Sequence, residues 1–140
     1  MTRIDFYVDA PDRLAVACRL VGKALQQSLK VLIYAPAAET AAHVDRLLWT
    51  TPATGFVPHC MAHDRLAPET PVLIARNAEV LPHDELLLNL HDDWPPPFAR
   101  FQRLLEIVGR DESDKQSARA RYKFYRDRGY EIRTHRLGDG

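Results

Sequence analysis

The sequence has little of what marks a secreted or membrane-spanning protein. Cysteine occurs only twice in 140 residues, at Cys18 and Cys60, which is too few for the disulfide frameworks of small secreted domains. No apolar run reaches the roughly 18 residues of a membrane-spanning helix. The first five residues contain no apolar stretch of the kind found in signal peptides. These absences predict a protein of the cytoplasm.

Glycine is also scarce, and none of the 6 glycines stands where a phosphate-binding loop would need it. Segment 8–12, after the first predicted strand, contains two aspartates and no glycine, and segment 35–38, after the second, has none either. Backbone N–H groups approach a phosphate through a glycine-rich turn, whereas carboxylates repel it. We therefore expect neither a nucleotide site nor any other cofactor.

The formal net charge is zero, with 19 Lys and Arg balanced by 19 Asp and Glu, so bulk electrostatics argue against strong direct binding to nucleic acid. The distribution is uneven. Seven basic and two acidic side chains lie between Arg119 and Arg136, a net charge of +5. Positive charge is therefore concentrated at one end of the chain.

Apolar patterning predicts alternating strands and helices. Strands are expected at 3–8, 30–34, 72–75, 85–90 and 130–134, and helices at 12–27, 38–49 and 113–128. Segment 98–103 suggests a short helix, and 104–108 fits its continuation or a strand. The opening order of strand, helix, strand, helix indicates a parallel sheet with crossover helices. We predict one α/β domain over residues 1–140, in three layers with a mostly parallel sheet of undetermined strand order.

Local signals predict the ends of these helices. Asp12 is suited to cap the first helix, and Ser113 with Gln116 fits a capping box at the start of the last one. Gly129 follows the last helix as a stop signal. Residues 50–71 are rich in proline and predict a long connection without regular structure, of the length that is usually functional or mobile.

The histidines raise the question of a metal or catalytic site. His59, Cys60, His63 and Asp64 have the side chains of zinc ligands, but a closed site needs four ligands and no second paired cluster exists. Segment 91–94 follows a predicted strand end, yet no nucleophile or orienting motif accompanies it. Polar loops explain both segments better, and we expect no metal site and no catalytic residue.

The last helix carries a basic stripe. Five side chains share one face at helical spacing: Lys115, Arg119, Tyr122, Lys123 and Arg126. Arg121 and Arg128 lie elsewhere around the helix. Such a stripe is either a solvated surface or a docking site for an anionic partner, which could be nucleic acid or an acidic peptide.

Two aromatic side chains flank a proline- and glycine-containing segment after the second helix. Trp49 and Phe56 either pack into the core or stand on a rigid loop as anchors of a protein interface. Residue type and spacing leave both interpretations open.

Three segments resemble the chi subunit of the bacterial DNA polymerase III clamp-loader assembly. They are Ile4-Asp-Phe-Tyr7, then Leu48-Trp-Thr-Thr-Pro52 continuing to Phe56-Val-Pro-His59, and last Ala118-Arg-Ala-Arg-Tyr-Lys-Phe-Tyr-Arg126 with Gly129-Tyr130. They occur in the family's order, and together they make the resemblance specific.

The resemblance implies a Rossmann-like α/β fold without nucleotide chemistry and a non-catalytic role in DNA replication. Chi-type proteins bind the acidic C-terminal tail of single-stranded DNA-binding protein, and they bind the psi subunit, which connects them to the clamp loader. The tail-binding residues carry over to Val108, Lys115, Arg119, Tyr122 and Lys123. The psi-facing residues carry over to Trp49, Phe56, Val57 and Pro58, a surface that can also engage a helicase-like partner. The alternatives are a small α/β nucleotide-binding enzyme and a direct single-stranded nucleic-acid binder.

Overall fold

The computed structural model describes residues 1–50, 57–79 and 81–137. Its strands are β1 (Arg3–Ala10), β2 (Val31–Tyr34), β3 (His59–Met61), β4 (Val72–Ala75), β5 (Leu86–Asn89), β6 (Arg103–Gly109) and β7 (Ile132–Arg136). Its α-helices are α1 (Arg13–Gln26), α2 (Ala38–Thr50) and α3 (Glu112–Asp127), and short 3-10 helices occupy Ala67–Glu69 and Phe98–Arg100. None of the helices in these ranges is long and apolar enough to cross a membrane.

The seven strands form one sheet in the order β3-β4-β2-β5-β6-β1-β7, and every neighbouring pair is parallel. The prediction of a mostly parallel α/β sheet is therefore confirmed. Strands β2, β4 and β5 are buried along their whole length, as expected of strands covered on both faces. The register between β1 and β6 shifts after Tyr7, so that Ala10 lies opposite Gly109.

Helices cover both faces of the sheet, which gives the predicted three layers. On one face, α1 and α2 pack their apolar residues, among them Val21 and Val44, against Ile33 and Leu88 of the sheet. On the other face, the main helical contribution comes from α3 through residues such as Tyr125. Residues of alternate strand positions supply the two cores because successive side chains point to opposite faces of a sheet.

Segment 104–108, which fitted either a strand or a helix, belongs to strand β6 and is buried. The connection expected to lack regular structure contains strand β3 at the sheet edge. Three residues are too few to show an alternating pattern, which is why the sequence did not reveal this strand.

The capping of the last helix differs from expectation, while that of the first agrees. Asp12 accepts hydrogen bonds from the backbone N–H groups of Leu14 and Ala15, as predicted. The Ser113 capping box was wrong, because Asp111 is the N-cap of α3 and its carboxylate accepts the N–H of Asp114 at 2.7 Å. Gly129 follows α3 with a φ of 83°, the left-handed conformation that glycine adopts without strain.

Candidate functional site

A cleft of about 490 Å³ opens where the carboxyl ends of β1, β6 and β7 meet α3. After β1 the chain crosses to α1 on one face, and after β6 it crosses to α3 on the other. The cleft therefore lies at a point where neighbouring strands lead to opposite faces, the place where open α/β sheets usually bind ligands.

The floor of the cleft is apolar and rigid. Phe6 is buried, and its ring centroid lies 5.4 Å from that of Tyr122. Val8 and Ala118 also line the cleft, together with Val108, which is buried at its base. Tyr122 is 38% exposed, so its ring forms a side of the cleft that a ligand can contact. This geometry suits an apolar or aromatic side chain.

Basic side chains surround the floor. Lys115 and Arg119 line the cleft from α3, and Arg136 lines it from β7. Within the described residues no carboxylate pairs with Lys115, and Arg119 lies 3.3 Å from Glu112 with both side chains about two-thirds exposed, at 66% and 67%. An exposed pair of this kind contributes at most about 1 kcal/mol, so a ligand carboxylate can replace Glu112 at little cost.

Arg136 occupies the opposite wall. Its side chain is 77% exposed, and its Nη1 lies 3.8 Å from the carboxylate of Asp9, which Arg110 already binds at 2.9 Å. Asp9 is the acidic residue that lines the cleft among the described residues. The cleft therefore presents three exposed cations against one carboxylate that already has a closer partner, and it favours an anion.

A buried polar network fixes α3 to the sheet beneath the cleft. Glu106 of β6 and Arg121 of α3 are both buried, and Arg121 Nε donates to Glu106 Oε1 at 3.0 Å. The hydroxyl of Tyr125 and the amide of Asn89 also donate to Glu106, at 2.5 and 3.1 Å. Burial raises the pKa of Glu106, and the Arg121 guanidinium opposes this most strongly. Burial beside Glu106 likewise raises the pKa of Tyr125.

This network was missed in the sequence, although a signal existed. Glu106 is the lone charge in the apolar run 104–108, and Arg121 and Tyr125 stand one turn apart in α3. A carboxylate inside an apolar strand needs buried donors. Arg121 also donates to the backbone carbonyl of Asp92 at 2.7 Å. The hydrogen bonds of its guanidinium group are therefore made to groups inside the protein.

Four of the five predicted tail-binding residues line the cleft, namely Val108, Lys115, Arg119 and Tyr122. Lys123 is exposed on α3 but is not among the lining residues. Phe6, Val8 and Arg136 line the cleft without having been predicted, because they come from β1 and β7, which only strand pairing brings beside α3.

The predicted psi-facing residues divide into exposed and buried positions. Trp49, at the end of α2, is 56% exposed, and Pro58 is exposed as well. Val57 is fully buried in the core, so it can only support this surface from beneath. Phe56 lies outside the described residues.

His59 holds this segment in place. Its ring lies 4.7 Å from that of Trp49, and its Nδ1 and Nε2 contact the Val57 carbonyl at 2.7 Å and the Asp45 carboxylate at 2.9 Å. The histidine is thus buried and hydrogen-bonded on both ring nitrogens. In the described parts of the chain, no group of three or more His, Cys, Asp and Glu side chains is arranged to hold a metal ion.

The neighbouring crevice, between the starts of α1 and α3, is lined by carboxylates. Asp12, Asp111 and Asp114 border this space of about 430 Å³. Asp12 and Asp111 cap the two helices, and Asp114 accepts the N–H of Gly109 at 3.2 Å. Side-chain carboxylates therefore accept hydrogen bonds from backbone N–H groups at these helix starts, where α/β proteins that bind nucleotides hold phosphate.

Known proteins resemble this chain along nearly its whole length. The family model described as "DNA polymerase III chi subunit, HolC" matches residues 1–133. DNA polymerase III subunit chi of Pseudomonas aeruginosa is 36% identical over 98% of both chains. The protein of the same name from Haemophilus influenzae is 31% identical over 88% of this chain and 86% of its own length. That from Escherichia coli is 29% identical over 85% of this chain and 82% of its own length. The similarity extends over the fold and is not confined to one motif.

Proposed function

This chain belongs to the DNA polymerase III chi subunit family, and we propose that its cleft beside α3 binds the acidic C-terminal tail of single-stranded DNA-binding protein. The family consists of accessory, non-catalytic subunits of a replication polymerase. We further propose that the chain acts in the cytoplasm as an adaptor, linking that tail through a psi-like subunit to the clamp loader.

The observation that carries the proposal is an open apolar floor surrounded by exposed cations. A peptide end that combines a terminal carboxylate, neighbouring acids and a final aromatic side chain matches both parts. The carboxylates pair with Lys115, Arg119 and Arg136, while the aromatic ring enters the space between Val108 and Tyr122. Lys123, on the outside of α3, contributes long-range attraction.

Arg119 is expected to contribute most among the cations. Its exposed pair with Glu112 holds it only weakly, and its planar guanidinium can bind a carboxylate through two parallel hydrogen bonds. Such a charge-assisted contact contributes about 1.5–3 kcal/mol when it is partly desolvated. Much of the remaining attraction is screened by salt, so the affinity should fall as ionic strength rises.

A peptide titration tests this site. A fluorescent acidic peptide that ends in phenylalanine with a free carboxylate should bind the wild type and should bind Arg119→Ala at least about ten-fold more weakly. The matched control is Arg126→Ala, because Arg126 is exposed on the same helix but pairs with Asp127 away from the cleft. Equal binding by the wild type and Arg119→Ala would refute the site.

Two further binding measurements distinguish recognition of the peptide from recognition of other anions. The same peptide with an amidated C-terminus should bind more weakly if the terminal carboxylate is recognised. A single-stranded oligonucleotide is the comparison for direct phosphate binding, which would show a steep dependence on salt. Oligonucleotide binding that exceeds peptide binding and is lost in Arg119→Ala would favour a nucleic-acid binder instead.

The connection to a psi-like subunit is proposed to use Trp49, Val57 and Pro58, together with Phe56, which lies outside the described residues. Exposed tryptophan is a common anchor of protein interfaces, and His59 fixes its position from below. Trp49→Ala should abolish co-purification with the psi-like subunit and leave tail-peptide binding intact. Tyr122→Ala should do the reverse, and a variant that loses both activities would point to misfolding.

A further inference from the structure

A second basic groove lies on the opposite face of the sheet, between α1 and the edge formed by β1 and β7. Its volume is about 330 Å³, and Tyr7, Val16, Leu20 and Leu137 supply its apolar lining. We propose that this α1 groove docks an acidic amphipathic segment of a protein partner. This proposal goes beyond tail binding and does not depend on it.

Two cations of α1 border the apolar lining. Arg19 and Lys23 stand one helical turn apart on the same side of Leu20, and both are exposed. In the described part of the chain neither side chain pairs with a carboxylate. Acidic side chains spaced one turn apart on a partner helix would match this pair.

The sheet extends the positive surface beyond the groove. Arg3, Asp5 and Tyr7 occupy every second position of β1, so their side chains point to the face of the sheet that α1 covers. The residues of β7 that lie opposite Asp5 and Tyr7 point to the same face. Arg133 lies opposite Asp5, and His135 lies opposite Tyr7, with ring centroids 4.8 Å apart. The groove and this strip of sheet form one continuous surface through Tyr7.

The buried carboxylate of Asp5 binds the cations of this strip. Arg103 donates to its Oδ2 at 3.3 and 3.0 Å, His135 contacts its Oδ1 at 3.0 Å, and Arg3 lies 3.7 Å away. The Asp5 side chain is only 3% exposed, whereas those of Arg103, Arg3 and His135 are 28%, 39% and 44% exposed. Asp5 is therefore buried beneath its partners, which are held in place with their outer edges accessible. The second acid beside the strip, Glu131, is exposed and pairs with Arg133 at 3.4 Å, a contact that a ligand carboxylate can replace at little cost.

The lining favours a peptide over a nucleic acid. Single-stranded nucleic acids bind by stacking bases on open aromatic faces, but Tyr7 is partly buried and already stacked by His135. Aliphatic side chains, Leu20 and Leu137 among them, form the rest of the apolar lining. Aliphatic residues flanked by cations match a helix with leucines on one face and carboxylates beside them.

The α1 groove and the cleft can be occupied at the same time. Phe6 and Thr134 point into the cleft, whereas their neighbours Tyr7 and His135 point to the α1 face. Successive residues of a strand project to opposite faces, so the sheet separates the two sites. Bound partners would meet only at the edge strand β7.

A titration with a designed probe tests the proposal. The probe is a fluorescent amphipathic peptide with glutamates and leucines on adjoining faces, and a scrambled peptide of the same composition is its control. Binding of the ordered peptide should fall about ten-fold in the double variant Arg19→Glu/Lys23→Glu. The double variant Arg46→Glu/Arg65→Glu makes the same charge change at exposed positions outside the groove and should bind like the wild type.

Amide chemical-shift mapping on the full chain locates the probe. The signals of residues 19–26 and 137 should move, while those of residues 115–122 should not. The proposal is overturned if the scrambled peptide binds as well as the ordered one, if both double variants lose affinity equally, or if the shifts map to the cleft. It is also overturned if a single-stranded oligonucleotide binds the groove more tightly than the peptide.

Discussion

The two faces of α3 use the same residue types for opposite purposes. On the inward face, Arg121 and Tyr125 are buried and pair with Glu106. On the outward face, Arg119 and Tyr122 are exposed, and Arg119 pairs with an equally exposed Glu112. The inward pair holds the helix on the sheet, and the outward pair is available to a partner.

Exposure to solvent determines whether an arginine can exchange one partner for another. In the buried pair, a side chain that loses its partner cannot be hydrated instead, so breaking the pair costs much of the free energy of unfolding. In the exposed pair, water replaces the lost partner, and the arginine can change partners. An arginine that is suited to binding is thus one that contributes little to folding.

Removing the buried cation should have the largest effect. Arg121→Ala leaves the buried carboxyl group of Glu106 without its main partner, and we expect a loss of about 3–5 kcal/mol in the free energy of unfolding. Urea denaturation followed by circular dichroism measures this loss. A loss below about 1 kcal/mol would show that water or another donor reaches Glu106, and the comparison between the faces would fail.

Asp5 is an intermediate case, because it is buried but its partners are partly exposed. Asp5→Asn should cost about 2 kcal/mol at neutral pH. Burial alone would raise the pKa of Asp5, but the hydrogen bonds from His135 and Arg103 outweigh it and lower the pKa below its ordinary value. The stabilisation is therefore complete above the pKa of the unfolded chain, about 3.9, and is lost as the pH falls through the lower pKa of the folded state.

Urea denaturation at a series of pH values measures this dependence. The difference between the wild type and Asp5→Asn should shrink as the pH falls through the carboxyl range. A difference that grows within the carboxyl range would mean that the folded state raises the pKa of Asp5.

The tyrosines offer a matched pair of smaller changes. Tyr125→Phe removes the hydroxyl that donates to Glu106 and should cost about 1–2 kcal/mol. Tyr122→Phe alters a partly exposed ring in the cleft and should change stability by less than about 0.5 kcal/mol. Thermal unfolding of both variants measures the two losses of stability. Equal losses would contradict the difference expected between the buried and the exposed tyrosine.

The smallest effect on stability is expected at Arg119. Arg119→Ala breaks only the exposed pair with Glu112, so the free energy of unfolding should change by less than about 0.5 kcal/mol. The same variant should nevertheless lose most of its affinity for the tail peptide. A stability loss comparable to that of Arg121→Ala would mean that Arg119 is structural and would remove it from the proposed site.

Much of the fold could be predicted because local patterns decide it. Segments 31–34 and 72–75 are continuous apolar runs of strand length, and α1 repeats apolar residues at helical spacing. Ambiguity arose where two local signals competed. Ser113 and Asp111 are both good N-caps, and in the structure α3 begins directly after Asp111, which caps it. Strand β3 has no pattern of its own and exists because β4 pairs with it.

Only part of the candidate site could be predicted from the sequence. The cations of α3 follow one another at helical spacing, so their common face could be predicted from the chain alone. Phe6 and Arg136 stand far from α3 in the sequence and join it through the pairing of β1 with β6 and β7. The α1 groove escaped prediction for the same reason, since Tyr7 of β1 and Leu137 after β7 meet Arg19 and Lys23 of α1 only in the folded chain.

The alternation of strands and helices, the parallel sheet and the absence of a glycine-rich phosphate loop could be predicted from the amino-acid sequence, because these follow from local composition and short-range spacing. The strand order and the different environments of Arg119 and Arg121 depend on the packing of the folded chain. These residues lie two positions apart and face different directions on a helix with about 3.6 residues per turn. Which of them is buried depends on how α3 is rotated against the sheet, and the carboxylate of Glu106 sets that rotation by requiring a buried cation.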